Sequence, residues 1–466
     1  MNNKRLYLLS IVLVAVIGGL LFGYDTAVIS GAEKGLQQFF SAASDFNYTD
    51  QVHGFTTSSA LIGCIIGALL SGVLASRLGR KKTLFVAGLL FFISALGSYA
   101  PETGILAKGV PTFTLLVIFN IYRIIGGIGV GLASAVCPMY IAEIAPADRR
   151  GALVSWNQFA IIFGQLVVYF VNYLIVRSHI NDPAVVEWTQ QVGWRVMFGS
   201  ECVPAATFAL LILLVPESPR YLVMAGKDQE ALRILTNLHQ PEHAVTIVEE
   251  IKATATESRE PLFAYGWLVI FVGIMLSVFQ QIVGINAVLY FAPRIFESMG
   301  VSNPMIFTVL MGIVNISFTL LAIFTVEKLG RKPLLITGSL LMALGAFGVA
   351  LTNIVTLPAW VSVASILIYS ASFMFSWGPI CWVYMSELFP NTIRSQATAI
   401  AVGFQWISNF AVSASFVPLY NYSHSMVYIA YGVICLLAAL FVWKLVPETK
   451  GKTLEQMTAL WRDKQH

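Results

Sequence analysis

The chain has 466 residues, 57% of them hydrophobic and only 11% charged, with a net charge of +4. That balance excludes an ordinary soluble globular protein, and so small a net charge calls for no nucleic-acid partner. The five cysteines and six histidines show neither metal-ligand spacing nor a disulfide framework, so no metal and no other cofactor is expected.

Apolar segments of about 20 residues, the length a bilayer demands, recur from end to end. Twelve spans are predicted, at roughly 7–29, 54–76, 83–100, 112–137, 152–176, 195–215, 263–292, 304–326, 333–352, 358–384, 396–418 and 424–446. The first follows Lys4 and Arg5 but outruns a signal peptide's short apolar core, and no small-residue cleavage site follows it, so it reads as a retained span. It carries Asp25 at the end of Gly18-Gly19-Leu20-Leu21-Phe22-Gly23-Tyr24, where three glycines predict a pliable helix. The fourth span holds Arg123, of opposite sign. The two read either as a static ion pair or as a functional pair on an ion pathway. Gly126-Gly127-Ile128-Gly129-Val130-Gly131 follows no strand, so it predicts close helix packing and not a dinucleotide site.

The fifth span places Gln158, Gln165 and Asn172 seven apart on one face. The sixth carries Glu201, with Arg195 at its edge. The hydrophilic segment from Glu217 to Pro261 is too short for a nucleotide-binding domain and predicts amphipathic helices over Lys227–Leu238 and Glu242–Lys252. In the seventh span Gln280-Gln281-Ile282-Val283-Gly284-Ile285-Asn286, with Tyr290, sets amides and a phenol in an apolar run. Such groups either grip a hydroxyl-rich ligand or hydrogen-bond between helices, and Gly284 predicts a break that turns them to a cavity. Asn315 stands alone in the eighth span. Gly378 and Pro379 predict a break in the tenth just before Trp382, and Gln405, Trp406 and Asn409 cluster on the eleventh. Amides with aromatics suit a sugar, whose hydroxyls and C–H faces want both, although tryptophans alone often only fill space. The six histidines fall in predicted loops or at segment ends.

Three motifs occur twice in the same order. Leu78-Gly79-Arg80-Lys81 returns as Leu329-Gly330-Arg331-Lys332. Tyr140-Ile141-Ala142-Glu143 returns as Tyr384-Met385-Ser386-Glu387, and Val215-Pro216-Glu217 as Val446-Pro447-Glu448. They predict a duplicated pair of six-helix halves, 1–216 and 263–446, joined by a linker at 217–262 and followed by a tail at 447–466. Of the 28 Lys and Arg, 22 fall on the side that holds both termini, which predicts cytoplasmic termini. The repeats also gather Arg80, Glu143 and Arg150 in one half and Arg331, Glu387 and Arg394 in the other, with Glu217 and Arg220 after the sixth span. Ion pairs among these loops are expected to hold the cytoplasmic side shut in an outward-open state.

These motifs, with Pro138-Met139-Tyr140, Pro216-Glu217-Ser218-Pro219-Arg220 and Pro447-Glu448-Thr449-Lys450-Gly451, resemble the sugar porter branch of the major facilitator superfamily over almost the whole chain. The resemblance implies an all-α membrane protein of twelve transmembrane helices with short cytoplasmic helices. It would be a multi-pass protein of the bacterial inner membrane, working as a monomer. It implies import of a monosaccharide, D-xylose first, together with a proton, by alternating access. Gln158, Gln165, Gln280, Gln281, Asn286, Tyr290, Asn315, Gly378, Trp382, Gln405 and Trp406 would line the sugar site with Phe22 alongside. Asp25 would carry the proton, with Arg123 as its partner and Glu201 near. Lys81 and Pro333 depart mildly from the family pattern. A hexose–proton symporter or a sugar uniporter on the same fold stays open. An enzyme is not expected, because the histidines lie in loops, away from any nucleophile set.

Overall fold

The computed structural model describes residues 2–450, apart from 103, 147–149, 180–183, 239, 256–259 and 356, together with 459 and 461. It is all-α, and eleven helices among the described residues are long and apolar enough to cross a membrane. The first five spans are Asn2–Ser41, Asp50–Leu78, Arg80–Tyr99, Phe113–Ile144 and Arg150–Arg177. The sixth is divided into Trp194–Gly199 and Cys202–Leu211. The seventh comes in three pieces, Trp267–Ile282, Ile285–Tyr290 and Ala292–Ser298. Then follow Pro304–Leu329, Arg331–Ile354, a divided tenth span (Ala359–Phe375 and Trp377–Leu388), Asn391–Tyr422 and His424–Leu445.

Large apolar side chains such as Leu13, Leu69, Leu214, Phe324, Leu344 and Trp443 stand exposed on the outside, while Asp25, Arg123 and Glu201 are buried inside. That distribution suits a lipid solvent, in which the polar groups must find their partners within the bundle. The first six spans pack as one bundle and the last six as another. The bundles meet along the second and eleventh spans and along the fifth and eighth.

The glycine run packs as expected. A Cβ on Gly127 would lie 1.8 Å from the Ala60 carbonyl oxygen, and one on Gly131 would lie 2.4 Å from that of Cys64. Gly63 and Gly67 of the second span answer them against Ile124 and Ile128. Backbones this close forbid any side chain between them. The first span is one unbroken helix to Ser41, well past the predicted end at about 29. Gly23 lets that helix touch the fifth, where a Cβ would lie 1.8 Å from the Ile161 carbonyl oxygen.

The first break of the seventh span and the breaks of the sixth and tenth fall at polar or glycine residues, while the second break of the seventh falls at Phe291. Gly284 has φ +91° and opens the middle piece of the seventh span. A side chain there would also strike the Tyr431 ring, 2.4 Å from the Cβ position. In the tenth span the break falls at Ser376, two residues before the expected site. Pro379 then lies in the first turn of the new helix, where its missing N–H costs nothing. The sixth span turns at Ser200 and Glu201. The Ser200 hydroxyl donates to the Met197 carbonyl at 2.6 Å, which leaves its oxygen to accept from the Tyr24 hydroxyl at 2.7 Å.

The linker forms Pro219–Met224, Asp228–Leu238 and Pro241–Ala255, so a short helix joins the two expected. They share a small core of Leu222, Val223, Ala231, Leu235, Ala244 and Val248. His53 departs from the expectation for histidines. The second helix begins at Asp50, four residues earlier than predicted, so His53 is helical and fully buried.

Candidate functional site

A polar cavity lies between the two bundles, near the breaks in the seventh and tenth spans. Its lining comes from the first, fifth, seventh, tenth and eleventh spans. Gly284 starts the short helix that carries Asn286 and Tyr290 to the wall, and the Ser376 break exposes backbone beside Gln280. Gln280 Nε2 donates to the Trp377 and Gly378 carbonyls at 3.0 and 3.3 Å. Its Oε1 accepts from Gln405 Nε2 at 2.6 Å and from Gln281 Nε2 at 3.4 Å, and Asn286 Nδ2 donates to Gln281 Oε1 at 2.5 Å. The amides therefore form a chain, each fixing the direction of the next. Gln165 Oε1 and Trp406 Nε1 are buried and have no hydrogen-bond partner among the described residues. Orphans of this kind are costly unless a ligand satisfies them. Phe22 meets Trp406 with ring centroids 5.7 Å apart, so an aromatic pair from opposite halves closes one side.

The free volume is about 80 Å³. That is well below the roughly 300–1,000 Å³ of ligand pockets. A monosaccharide enters only if the walls move apart, and the cavity's position between two bundles provides for that.

A second polar cluster lies behind the first span. Phe22 and Thr26, four apart, face the cavity, while Asp25 faces the fourth and sixth spans. Arg123 Nη1 donates to Asp25 Oδ1 at 2.7 Å and Nη2 to the Asp25 backbone carbonyl at 3.2 Å. The guanidinium also stands 4.8 Å from the centre of the Phe198 ring. Asp25 Oδ2 and both carboxyl oxygens of Glu201 are buried without a hydrogen-bond partner among the described residues. Of the two buried acids, Arg123 bonds Asp25. An unpartnered carboxylate at this depth is costly, and a proton removes the cost.

The profile of the family described as "Sugar (and other) transporter" matches residues 11–461. The chain belongs to that family. The D-xylose-proton symporter of Escherichia coli strain K12 is 49% identical over 98% of this chain and 96% of that protein. The glucose facilitated diffusion protein of Zymomonas mobilis is 37% identical over 97% and 96%. The inward-open structure of the E. coli xylose transporter superposes with a TM-score of 0.88 at 49% identity, covering 97% of this chain and 100% of that one.

In this sugar transporter the cavity gathers Phe22, Gln158, Gln165, Gln280, Gln281, Asn286, Tyr290, Gly378, Trp382, Gln405 and Trp406. Asn315 stays outside it. Its Oδ1 accepts from Ser370 at 2.6 Å, which ties the eighth span to the tenth. Asn172, third on the fifth-span stripe, likewise binds the Val28 carbonyl at 3.2 Å. Thr26, Phe373, Met374 and Asn409 line the wall without having been singled out for the site. Asn409 was legible four residues after Gln405. The other three carry no sequence signal beyond their neighbours.

At the end of the molecule where Arg80 and Arg331 lie, the repeated motifs build the same network twice. Arg80 donates to Glu143 at 2.7 and 2.8 Å, and Glu217 Oε1 accepts from the Arg80 backbone N–H at 2.9 Å. Arg331 pairs with Glu387 at 2.8 and 3.2 Å, and Glu448 accepts from the Arg331 backbone N–H at 3.1 Å. Ser218 and Thr449 each donate to the acid of their own half at 2.5 Å. The pairs close within each half. Arg394 turns back to the Phe389 carbonyl, Arg220 is exposed, and the side chain of Arg150 lies outside the described residues. The halves touch instead at the opposite end, through Arg294 with Glu33, Lys34 with Glu297 and Asn421 with Asp50.

Proposed function

We propose that this protein imports D-xylose together with a proton by alternating access, in the bacterial inner membrane, with both termini in the cytoplasm. The distribution of basic residues supports the orientation. The Arg80–Arg331 end then faces the cytoplasm, and the end closed by Arg294 and Glu33 faces outward. In this reading the protein stands in an inward-facing state, in agreement with the likeness to an inward-open relative. Residues 1–216 and 263–446 are the halves that rock about the cavity, 217–262 ties them, 447–466 is the cytoplasmic tail, and one copy of the chain in the bilayer suffices.

Gln158, Gln165, Gln280, Gln281, Asn286, Tyr290, Gln405 and Trp406 hold the sugar hydroxyls, Gly378 leaves room, and Phe22 and Trp382 pack its C–H faces. Asn315 supports this set from behind through Ser370. A relative that carries D-xylose with a proton shares nearly half of the sequence, and another that carries glucose by diffusion shares over a third, so coupling is the property to explain. The observation that carries it is the Arg123 link to Asp25 with Glu201 unpartnered beside it. A proton on Asp25 releases Arg123, which turns to Glu201, and the first and fourth helices gain freedom to move. Because Phe22 and Thr26 touch the sugar on the same helix, sugar and proton bias one rearrangement.

Uptake of labelled D-xylose and D-glucose into proteoliposomes, with and without an inward proton gradient, tests this. Accumulation of xylose above the outside level only with the gradient is expected. Equilibration without accumulation points to a uniporter, and accumulation of glucose alone to a hexose carrier.

A further inference from the structure

Outside the sugar cavity, a buried cluster joins the two halves at their outer ends. Glu33, on the first span, is buried. Arg294 of the opposite half donates to it twice, Nε to Oε1 at 3.0 Å and Nη2 to Oε2 at 2.7 Å. His53, on the second span and in the same half as Glu33, is equally buried and places Nε2 3.1 Å from Glu33 Oε2. Its Nδ1 lies 3.0 Å from the Tyr48 hydroxyl. A neutral ring satisfies both contacts, with Nε2–H donating to Glu33 and Nδ1 accepting from Tyr48.

The other charged and titratable groups around the pair are accounted for. Asp50 accepts from Gln37 at 3.3 Å and from Asn421 at 2.8 Å. Lys34 and Glu297 neutralise each other at 2.5 Å, half-exposed. Tyr420 bonds Ser298 at 2.6 Å. Arg294 is thus the cation bonded to Glu33. An open vestibule of about 600 Å³, lined by Lys34, Gln37, Arg294 and Glu297, brings outside water to its far face.

Arg294 belongs to the seventh span, and opening the outer end withdraws it. Glu33 would then be a carboxylate left without its counter-charge, which a protein interior tolerates poorly. His53 stays beside it. A proton taken from outside water onto Nδ1 makes the ring a cation, and the Tyr48 hydroxyl has only to rotate from donor to acceptor. The pair then carries Glu33 minus and His53 plus, the same balance as Glu33 minus and Arg294 plus before.

We propose that His53 and Glu33 form a proton-binding pair that takes up one outside proton when Arg294 withdraws, so that external acidity favours the outward-facing state. The proton is taken and returned on the same side. It tunes the equilibrium without entering the transport stoichiometry.

The inference rests on the orientation and alternating access proposed above, so its test must separate the two. Spin labels on cysteines introduced at Ile105 and Tyr422, both exposed at the outer end, report the gap between the halves. Cys202, the half-buried native thiol, is replaced by Ser, and Asp25→Asn removes the other proposed proton site. The full chain in lipid vesicles is measured from about pH 5 to about pH 8, the interval in which histidine ordinarily changes charge. The wide-gap to narrow-gap ratio should rise on acidification by up to about tenfold per pH unit, the limit for one proton. With His53→Asn, whose amide still donates to Glu33, the ratio should stay low and flat. With Glu33→Gln it should be flat but raised, because Arg294 has lost its carboxylate. Two gap populations that ignore pH, or a pH response that survives both substitutions, overturn the inference. A single population under every condition overturns alternating access, and the inference with it.

Discussion

Arg123 reaches Asp25 twice, at the Oδ1 carboxylate oxygen and at the backbone carbonyl of the same residue. Only the first of these bonds depends on charge. Protonating Asp25 therefore takes away the charged bond and leaves only the carbonyl contact for Arg123 to give up as it turns to Glu201, which suits a switch better than a lock. Each proton entering with the membrane potential releases about 2.3 kcal/mol per 100 mV. Asp25→Asn imitates the protonated acid permanently. Proton-driven accumulation of sugar should disappear while sugar binding and sugar–sugar exchange remain, because the amide chain lies on other helices. Accumulation assays paired with counterflow on the variant check this. Accumulation that persists with alkalinisation of the medium would place the coupling site elsewhere.

The amide chain sets a second expectation. Asn286 Nδ2 is held by Gln281 Oε1, so removing either side chain frees its neighbour as well as a proposed sugar contact. Gln281→Ala and Asn286→Ala should each weaken sugar binding by about 1–3 kcal/mol, the usual cost of an unsatisfied buried polar group. Asn315→Ala should weaken it less, since Asn315 acts through Ser370. Calorimetric titration of the purified variants measures all three, and equal losses would contradict the ranking.

Close packing makes a third. Gly127→Ala would put a methyl group 1.8 Å from a backbone carbonyl oxygen that belongs to another helix. No rotamer relieves that clash, so the second and fourth spans must separate. A loss of at least about 1–3 kcal/mol is expected, the usual cost of overpacking. Gly72→Ala is the control, because nothing lies within 4 Å of its Cβ position. Thermal unfolding in detergent should separate the two.

The spans, the duplication and most of the cavity wall were legible because bilayer length, charge bias and stranded amides each leave a mark in sequence. Gly284 was legible as a break because its neighbours were polar. The break at Ser376 was not, since serine bonds back to its own helix as readily as it ends one, here to the Ser372 carbonyl at 2.6 Å. Asn315 looked like a site residue because an amide between helices and an amide facing a ligand have the same sequence signature. His53 was missed for a related reason. Its burial depends on Glu33, 20 residues before it, and on Tyr48, whose hydroxyl meets Nδ1.

The duplicated networks at the Arg80–Arg331 end, cytoplasmic in the proposed orientation, carry the last prediction. Glu143 accepts from Arg80 Nε, Arg80 Nη2 and Ser218 Oγ, so it holds the loop between the second and third spans against the start of the linker. Glu387 does the same in the second half with Arg331 and Thr449. In this conformation the bonds of each network among the described residues keep to its own half. When the cytoplasmic end closes, the two loops must come together in a defined shape, and charge is what defines it. Glu143→Gln keeps the size but weakens three bonds to a carboxylate, each charge-assisted bond being about twice as strong as a neutral one. The outward-facing state loses its ordered cytoplasmic contacts while the inward-facing state keeps its outer ones. The variant should populate the inward-facing state more and transport more slowly, with sugar affinity little changed. Glu387→Gln should do likewise, by the symmetry of the repeat. Distances between spin labels across the cytoplasmic end measure the shift, and a distribution identical to that of the unsubstituted protein in both variants would remove these acids from the gate.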